Sequence, residues 1–324
     1  MNVPSLPAAM HGFLLVQQMI VLLLSALLML MLSSAFMLQW QAFRQQSQLT
    51  LLHQTAIQAH ALFQRELSQA GFWAGLDLLS IQPPQPDLAV SGDCLLGAVD
   101  SGSFPKLGQV WLGVYAGSVG ASNTPLCLTN AVKQSDFIQV KHLAGDPLQV
   151  TELRPNRSYL QQHGLSARFV LSGDAGLKPQ LWYWPYQHEM YYVAQQTLAG
   201  QSIPVLMRKR LVRNQQGNLV MDTAAVLDGI EMLVVEIGID QDADGLADIF
   251  MPASAVPVAT WQQPQLVRQI RYFVLLRALQ PERGYRNQQT YQLGPRQFHG
   301  RGDPFRRLLI SSSVKIYPTA LGAR

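Results

Sequence analysis

The stretch Phe13–Leu38, FLLVQQMIVLLLSALLMLMLSSAFML, decides the architecture. Of its 26 residues the polar ones are Gln17, Gln18, Ser25, Ser33 and Ser34. As a helix rising about 1.5 Å per residue it reaches about 39 Å, more than the roughly 30 Å hydrocarbon core of a bilayer. A membrane-spanning helix is the expectation. Charge placement agrees, because no Asp, Glu, Lys or Arg occurs between Met1 and Phe43 and the first charged side chain is Arg44. Such a segment must be sheltered from water by lipid or by protein, which sets the chain apart from ordinary soluble enzymes. A second reading stays open: Ser33-Ser34-Ala35 closes an apolar run from Met19 with small residues, as a secretory signal cut after Ala35 would. With no basic residue ahead of the span, the positive-inside rule does not favour a cytoplasmic N-terminus.

The helical pattern continues past the span. Leu49, Leu52, Ala56, Ala59, Phe63, Leu67 and Ala70 recur at spacings of three and four, with Gln, His and Arg between them, and Gly71 stands where a helix would stop. This predicts one helix from about Phe13 to Ala70, with a break near Trp40 as the alternative. Its apolar stripe is expected to be an assembly surface.

From Trp73 onward the texture is that of one β-rich domain, 73–324. The 324 residues are 48% apolar with 24 Gly and 19 Pro, enough for a sizeable core. Ile81–Pro86 and Ser101–Pro105 read as loops. Ile270, Tyr272, Val274 and Leu276 alternate with Gln269, Arg271 and Arg277, and Leu308, Ile310, Val314 and Ile316 oppose Ser311, Ser313 and Lys315. Period two predicts half-buried strands, and 137–143, 190–195, 205–212 and 230–239 add more. The expected class is α+β: a long N-terminal helix followed by a mostly antiparallel sheet domain.

The leader Met1–Gly12, ending His11-Gly12-Phe13, resembles that of type IV prepilins, whose peptidase cuts after the Gly and methylates the new N-terminus. The resemblance implies processing between Gly12 and Phe13, a mature chain that keeps the span, and residence in the inner membrane with a periplasmic head before assembly into a surface pilus. The head narrows the likeness to PilW-like minor pilins. It carries a Leu67…Ala70-Gly71-Phe72-Trp73 step, a Ser135-Asp136-Phe137-Ile138 strand, a Tyr191-Tyr192-Val193-Ala194 stretch leading to Leu206-Met207-Arg208, an Asp-rich loop and a closing Phe305-Arg306-Arg307-Leu308. Implied partners are other minor pilins, the major pilin, the prepilin peptidase and a large tip adhesin. Where the family has Glu at the fifth mature position this chain has Gln17, which cannot neutralise a neighbour's ammonium; some minor pilins at the filament tip also lack this Glu, so a position at or near a tip is expected.

Three constellations could carry chemistry. Asp240, Asp242, Asp244 and Asp248, with Gly245 and the carbonyl of Leu246, have the spacing of an EF-hand-type Ca²⁺ loop, except that Met251 stands where a bidentate Glu belongs. An Asp/Gly-rich hairpin turn accounts for the same residues. Cys94 and Cys127, the two cysteines, read as a disulfide in an exported domain, or else as buried thiols. From Ile249 to Arg324 eleven Arg or Lys face two acidic residues, a net of +9 (11 − 2). That makes Arg296, Arg301, Arg306 and Arg307 candidates for DNA contact through phosphate, with solvated strand faces as the plain alternative. The seven His are scattered, and no Gly-x-Ser-x-Gly, phosphate loop or dinucleotide fingerprint occurs. A catalytic role is not expected; anchoring and assembly are. The other reading is a membrane-anchored ectodomain that binds a ligand or DNA and joins no filament.

Overall fold

The computed structural model describes residues 9–84, 88–96, 99–120, 124–198 and 200–316. The leader up to residue 8 and the end of the expected loop at Pro86 lie outside these residues.

Helix α1, Ala9–Ser68, runs without interruption, as the absence of Pro after Pro7 allows. It already includes Gly12. Ala70 and Phe72 close the last turn by bonding back to the carbonyls of Leu67 and Gln69, and Gly71 takes φ 77°, a conformation that glycine adopts without steric cost. Residues 1–50 and 51–324 form separate compact units, so the last turns of α1, from Leu51, belong to the head.

In the first half of the head the strands are β1 (Ile81–Gln82), β2 (Val90–Ser91), β3 (Val114–Ser118), β4 (Asp136–Leu143), β5 (Ser158–His163), β6 (Ser166–Leu171), β7 (Trp182–Leu198), β8 (Gln201–Arg213) and β9 (Leu219–Asp228). They form one nine-stranded sheet in the order β1-β6-β5-β7-β8-β9-β2, with β4 sharing one edge of β7 with β5 and carrying β3 on its far side. A second sheet, β11-β10-β12-β15, is built from β10 (Ile230–Ile239), β11 (Ile249–Pro252), β12 (Val267–Arg277) and β15 (Arg307–Lys315); β13 (Thr290–Leu293) and β14 (Arg296–His299) make a separate hairpin. All pairings between these strands are antiparallel except the two-residue contacts β1·β6 and β2·β9. The fold is α+β.

The helix closes the core. Ala59 and Phe63 are fully buried, and the Phe63 ring meets Tyr191 of β7 at 5.9 Å and Tyr272 of β12 at 5.1 Å, so one side chain bridges the two sheets. Gln64 Nε2 donates to Ser312 Oγ on β15 (2.8 Å), and Tyr272 Oη lies 3.0 Å from His60 Nδ1. Burying an aromatic or a leucine of this kind stabilises by about 2–3 kcal/mol each. The step after the helix docks on the first sheet: Leu143 N–H donates to Phe72 O, and Trp73 packs on Trp111 at 5.0 Å.

Ser135 and Asp136 join the sheets where β10 lacks a strand neighbour. Ser135 Oγ accepts from Leu233 N and donates to Leu233 O, and Asp136 Oδ2 accepts from Val235 N (2.8 Å). Two short side chains thus satisfy main-chain groups that a ladder would otherwise pair.

Candidate functional site

The segment expected to span a membrane is apolar and exposed. Each residue from Phe13 to Trp40 is exposed, and this part of α1 is long and apolar enough to cross a bilayer. Two of its hydroxyls bond within the helix, Ser25 Oγ donating to Leu22 O and Ser34 Oγ to Met31 O, which lowers the cost of placing them in lipid. Phe36, Trp40 and Phe43 stack in succession at 6.3 and 6.1 Å, aromatic residues at the end of the apolar run as at a membrane–water interface.

The expected assembly stripe requires correction. Leu52, Ala56, Phe63 and Leu67 are buried in the head core and Leu49 is half-buried. The spacing identified a buried face correctly, but what buries it is this chain's own sheets, because Tyr191 and Tyr272 need an apolar cover. The exposed apolar surface of α1 is concentrated in Phe13–Trp40, which includes Gln17, with Phe43, Leu51 and Ile57 exposed beyond it.

Cys94 and Cys127 are bonded, with Cα atoms 5.1 Å apart. Next to the bridge lies a buried polar cluster that the sequence reading missed. Lys141 and His188, paired across β4 and β7, are fully buried. Lys141 Nζ donates to Leu112 O (2.8 Å) and stands 4.9 Å over the Trp111 ring. Burial lowers its pKa to about 7 against the opposing fields of Asp100 and Asp93. His188 Nδ1 is 2.9 Å from Ser103 Oγ, which donates to Asp93 Oδ1 (2.8 Å), and His188 Nε2 meets Gln139 Nε2. Burial, then the Lys141 charge, holds the imidazole well below its ordinary pKa. The signal in the sequence is polar residues, Gln139 and Lys141 at alternate positions of β4 and His188 in β7, within otherwise apolar strands.

The Asp loop joins β10 to β11. Asp240, Asp242 and Asp244 place carboxylate oxygens within 4.8 Å of one another. Asp240 is buried and committed: Oδ1 accepts from Ala243 N, while Oδ2 accepts from Gly245 N and from Arg268 Nε (2.9 Å). Asp242 and Asp244 are exposed, each accepting one amide through Oδ1, and Asp248 Oδ2 caps Gln241 N. The second oxygens of Asp242 and Asp244 are directed to no hydrogen bond among those described, so the donor set fits a hard cation, with Arg268 as an opposing charge.

The arginine candidates for DNA are largely ion-paired within the protein. The Arg307 side chain is 2% exposed and pairs with both Glu231 and Asp303; Arg306 pairs with Glu282; Arg296 pairs with buried Asp136 and donates to Gln134 O. Arg301 is exposed, in a turn at φ 52°. The positive tally of this segment leaves out carboxylates that the fold brings in from elsewhere, and of the four arginines Arg301 is the one with no ion pair among the described residues.

Residues 190–317 match the family described as Type IV Pilus-assembly protein W. They comprise most of β7 and the whole of β8 to β15, including the second sheet and the Asp loop. No curated protein and no solved structure matches the chain.

Proposed function

We infer that this PilW-like chain takes part in type IV pilus assembly and, more specifically, that it is a minor pilin inserted in the filament through the exposed part of α1. The observation that carries the reading is the combination on one chain of a charge-free, exposed helical segment, Phe13–Trp40, with a head that matches PilW over residues 190–317. A helix apolar on all sides is stable in lipid or among identical neighbours, which suits a subunit that passes from inner membrane to filament. The head lies outside the cytoplasm, where the Cys94–Cys127 bridge persists.

In this account the leader is cut between Gly12 and Phe13, and Gln17, lacking the charge to pair with a neighbour's N-terminal ammonium, places the subunit at or near the tip. There it joins other minor pilins and the major pilin, primes filament growth and supports a tip adhesin. The Asp240–Asp248 loop holds Ca²⁺ weakly. Fractionation tests the reading. The protein is expected in pili sheared from the surface, in amounts that do not scale with filament length; recovery only in the membrane fraction would favour an anchored ectodomain, and even labelling along the shaft would remove the tip assignment.

A further inference from the structure

Strand β15 (Arg307–Lys315) is the outer strand of the second sheet. Ala278 N–H donates to Arg306 O (2.8 Å) at one end of its ladder with β12, Ile316 N–H donates to Arg268 O (3.0 Å) at the other, and the register between them is unbroken. Even-numbered residues of β15 therefore point their main-chain groups at β12, while Leu309, Ser311, Ser313 and Lys315 point theirs away from it. Those outward N–H and C=O groups have no hydrogen-bond partner among the described residues. Proteins normally blunt such an edge with Pro, a bulge, inward charges or a covering element. The run 309–315 has no Pro and no bulge, and its one charge is Lys315 at the end; it is about 24 Å long at 3.4 Å per residue. Its two faces differ. Leu308, Ile310, Val314 and Ile316 pack toward the main core, but Leu308 and Ile310 are only half-buried, so apolar surface reaches the edge. On the other face Ser311, Ser313 and Lys315 are exposed, and Lys315 has no ion pair among the described residues.

We propose that this edge is a docking site for an extended segment of a partner protein, which joins the second sheet as a fifth strand beside β15. Main-chain pairing gives the outward N–H and C=O groups their partners; being common to every sequence, it supplies attachment and not selection. Selection comes from the two faces. On the core side the segment presents apolar side chains at alternate positions, which cover the exposed parts of Leu308 and Ile310 and extend the core. Between them it presents Ser or Thr opposite Ser311 and Ser313, and an Asp or Glu beside Lys315, the charge that this edge leaves free. A second copy of this chain is the poorer match. An antiparallel pairing of two β15 strands centred on Ser311 sets Lys315 opposite Arg307, whose own carboxylates, Glu231 and Asp303, are already engaged.

The test uses the full chain in detergent micelles and a blocked seven-residue peptide that alternates Val with Thr and carries Glu at both ends. Amide exchange is read residue by residue. In the free chain Ile310, Ser312 and Val314 should be protected, with Leu309, Ser311 and Ser313 exchanging at least about a hundredfold faster. Peptide at about 1 mM should slow those three at least about tenfold. The same peptide with every amide N-methylated cannot complete the ladder and should have no effect. Ser311→Pro removes one outward N–H and leaves the β12 ladder complete; it should melt within about 3 °C of the wild type and lose the response. Lys315→Glu should abolish the response to this peptide and confer it on one ending in Lys. No slowing by the peptide, or equal slowing by its N-methylated form, would overturn the proposal whether or not the proline variant folds. Protection of Leu309, Ser311 and Ser313 in the free chain would overturn it too, because the edge would already be covered: by a second copy if dilution removes the protection, by residues 317–324 if their deletion does.

Discussion

Asp136 Oδ1 lies 2.8 Å from Arg296 Nη2, a carboxylate with no exposed surface paired with a guanidinium from the β13–β14 hairpin. The same carboxylate accepts from Val235 N through its other oxygen, and the same guanidinium donates to Ser118 Oγ (3.2 Å). One ion pair therefore connects the first sheet, the edge of β10 and the hairpin. Burial pushes the Asp136 carboxyl up in pKa, opposed chiefly by Arg296.

Removing the cation should leave an uncompensated buried charge. Arg296→Met is expected to destabilise the head by about 3 kcal/mol in chemical denaturation. Asp136→Asn in the same chain should restore part of that, since the amide oxygen still accepts from Val235. A loss below about 0.5 kcal/mol would mean the pair behaves like an exposed surface bridge.

The Phe63 ring distinguishes a core role of the α1 stripe from an assembly role. Phe63→Ala should cost about 3–5 kcal/mol of head stability, as expected for a fully buried aromatic. It should lower the melting temperature of the isolated full-length protein in detergent, before any partner is present. A variant with unchanged melting but failed incorporation would restore the stripe as an assembly surface.

His188 gives the head an acid sensitivity of known sign. An unfolded imidazole takes up its proton at pH about 6.5, whereas native His188 does so only well below that. Between those values the unfolded state binds the extra proton, so stability falls as pH drops below about 6.5, by up to about 1.4 kcal/mol per pH unit. Lys141, Asp93 and Asp100 surround the group; Lys141, with a native pKa of about 7, acts in the same direction but at higher pH, between about 10.5 and 7. His188→Gln should flatten the urea-derived stability profile below about pH 6.5; a profile as steep as the wild type's would assign the acid loss to other groups.

Calcium at the Asp loop is tested by calorimetry. The full chain should bind Ca²⁺ with Kd in the range of about 0.1–1 mM, and Asp242→Asn/Asp244→Asn should abolish the heat while leaving the fold intact, since both side chains are exposed. Arg268→Gln should tighten binding by removing an opposing charge from Asp240. No heat with millimolar Ca²⁺ would leave the loop as a hairpin turn.

Much of this architecture is legible in the chain because local rules govern it. The composition of Phe13–Leu38 sets the exposed helix, period two marks β12 and β15, and Ser135-Asp136 is a short motif whose stitching role appears once β10 is placed. Long-range partners are not legible. The stripe from Leu52 to Leu67 announces a buried face but not its cover. The pairing of Arg307 with Glu231 depends on strands distant in sequence. Strand β4 is buried along its whole length, yet Gln139, Lys141 and His142 make it read as half solvated, because the irregular backbone of 99–106 that meets Gln139 and Lys141 has no periodicity. The first part of β7, from Trp182, is hidden by Pro185, which interrupts the alternation.

The mature N-terminus, read by mass spectrometry on protein extracted from the membranes of its native host, tests the account most directly. The account predicts a chain beginning at Phe13, with the exposed apolar helix retained and Gln17 at the fifth position. A chain beginning at Phe36 would mean that the helix is a discarded secretion signal, and an intact Met1 would mean that the protein is anchored without entering a filament; either result would contradict the assignment as a pilin.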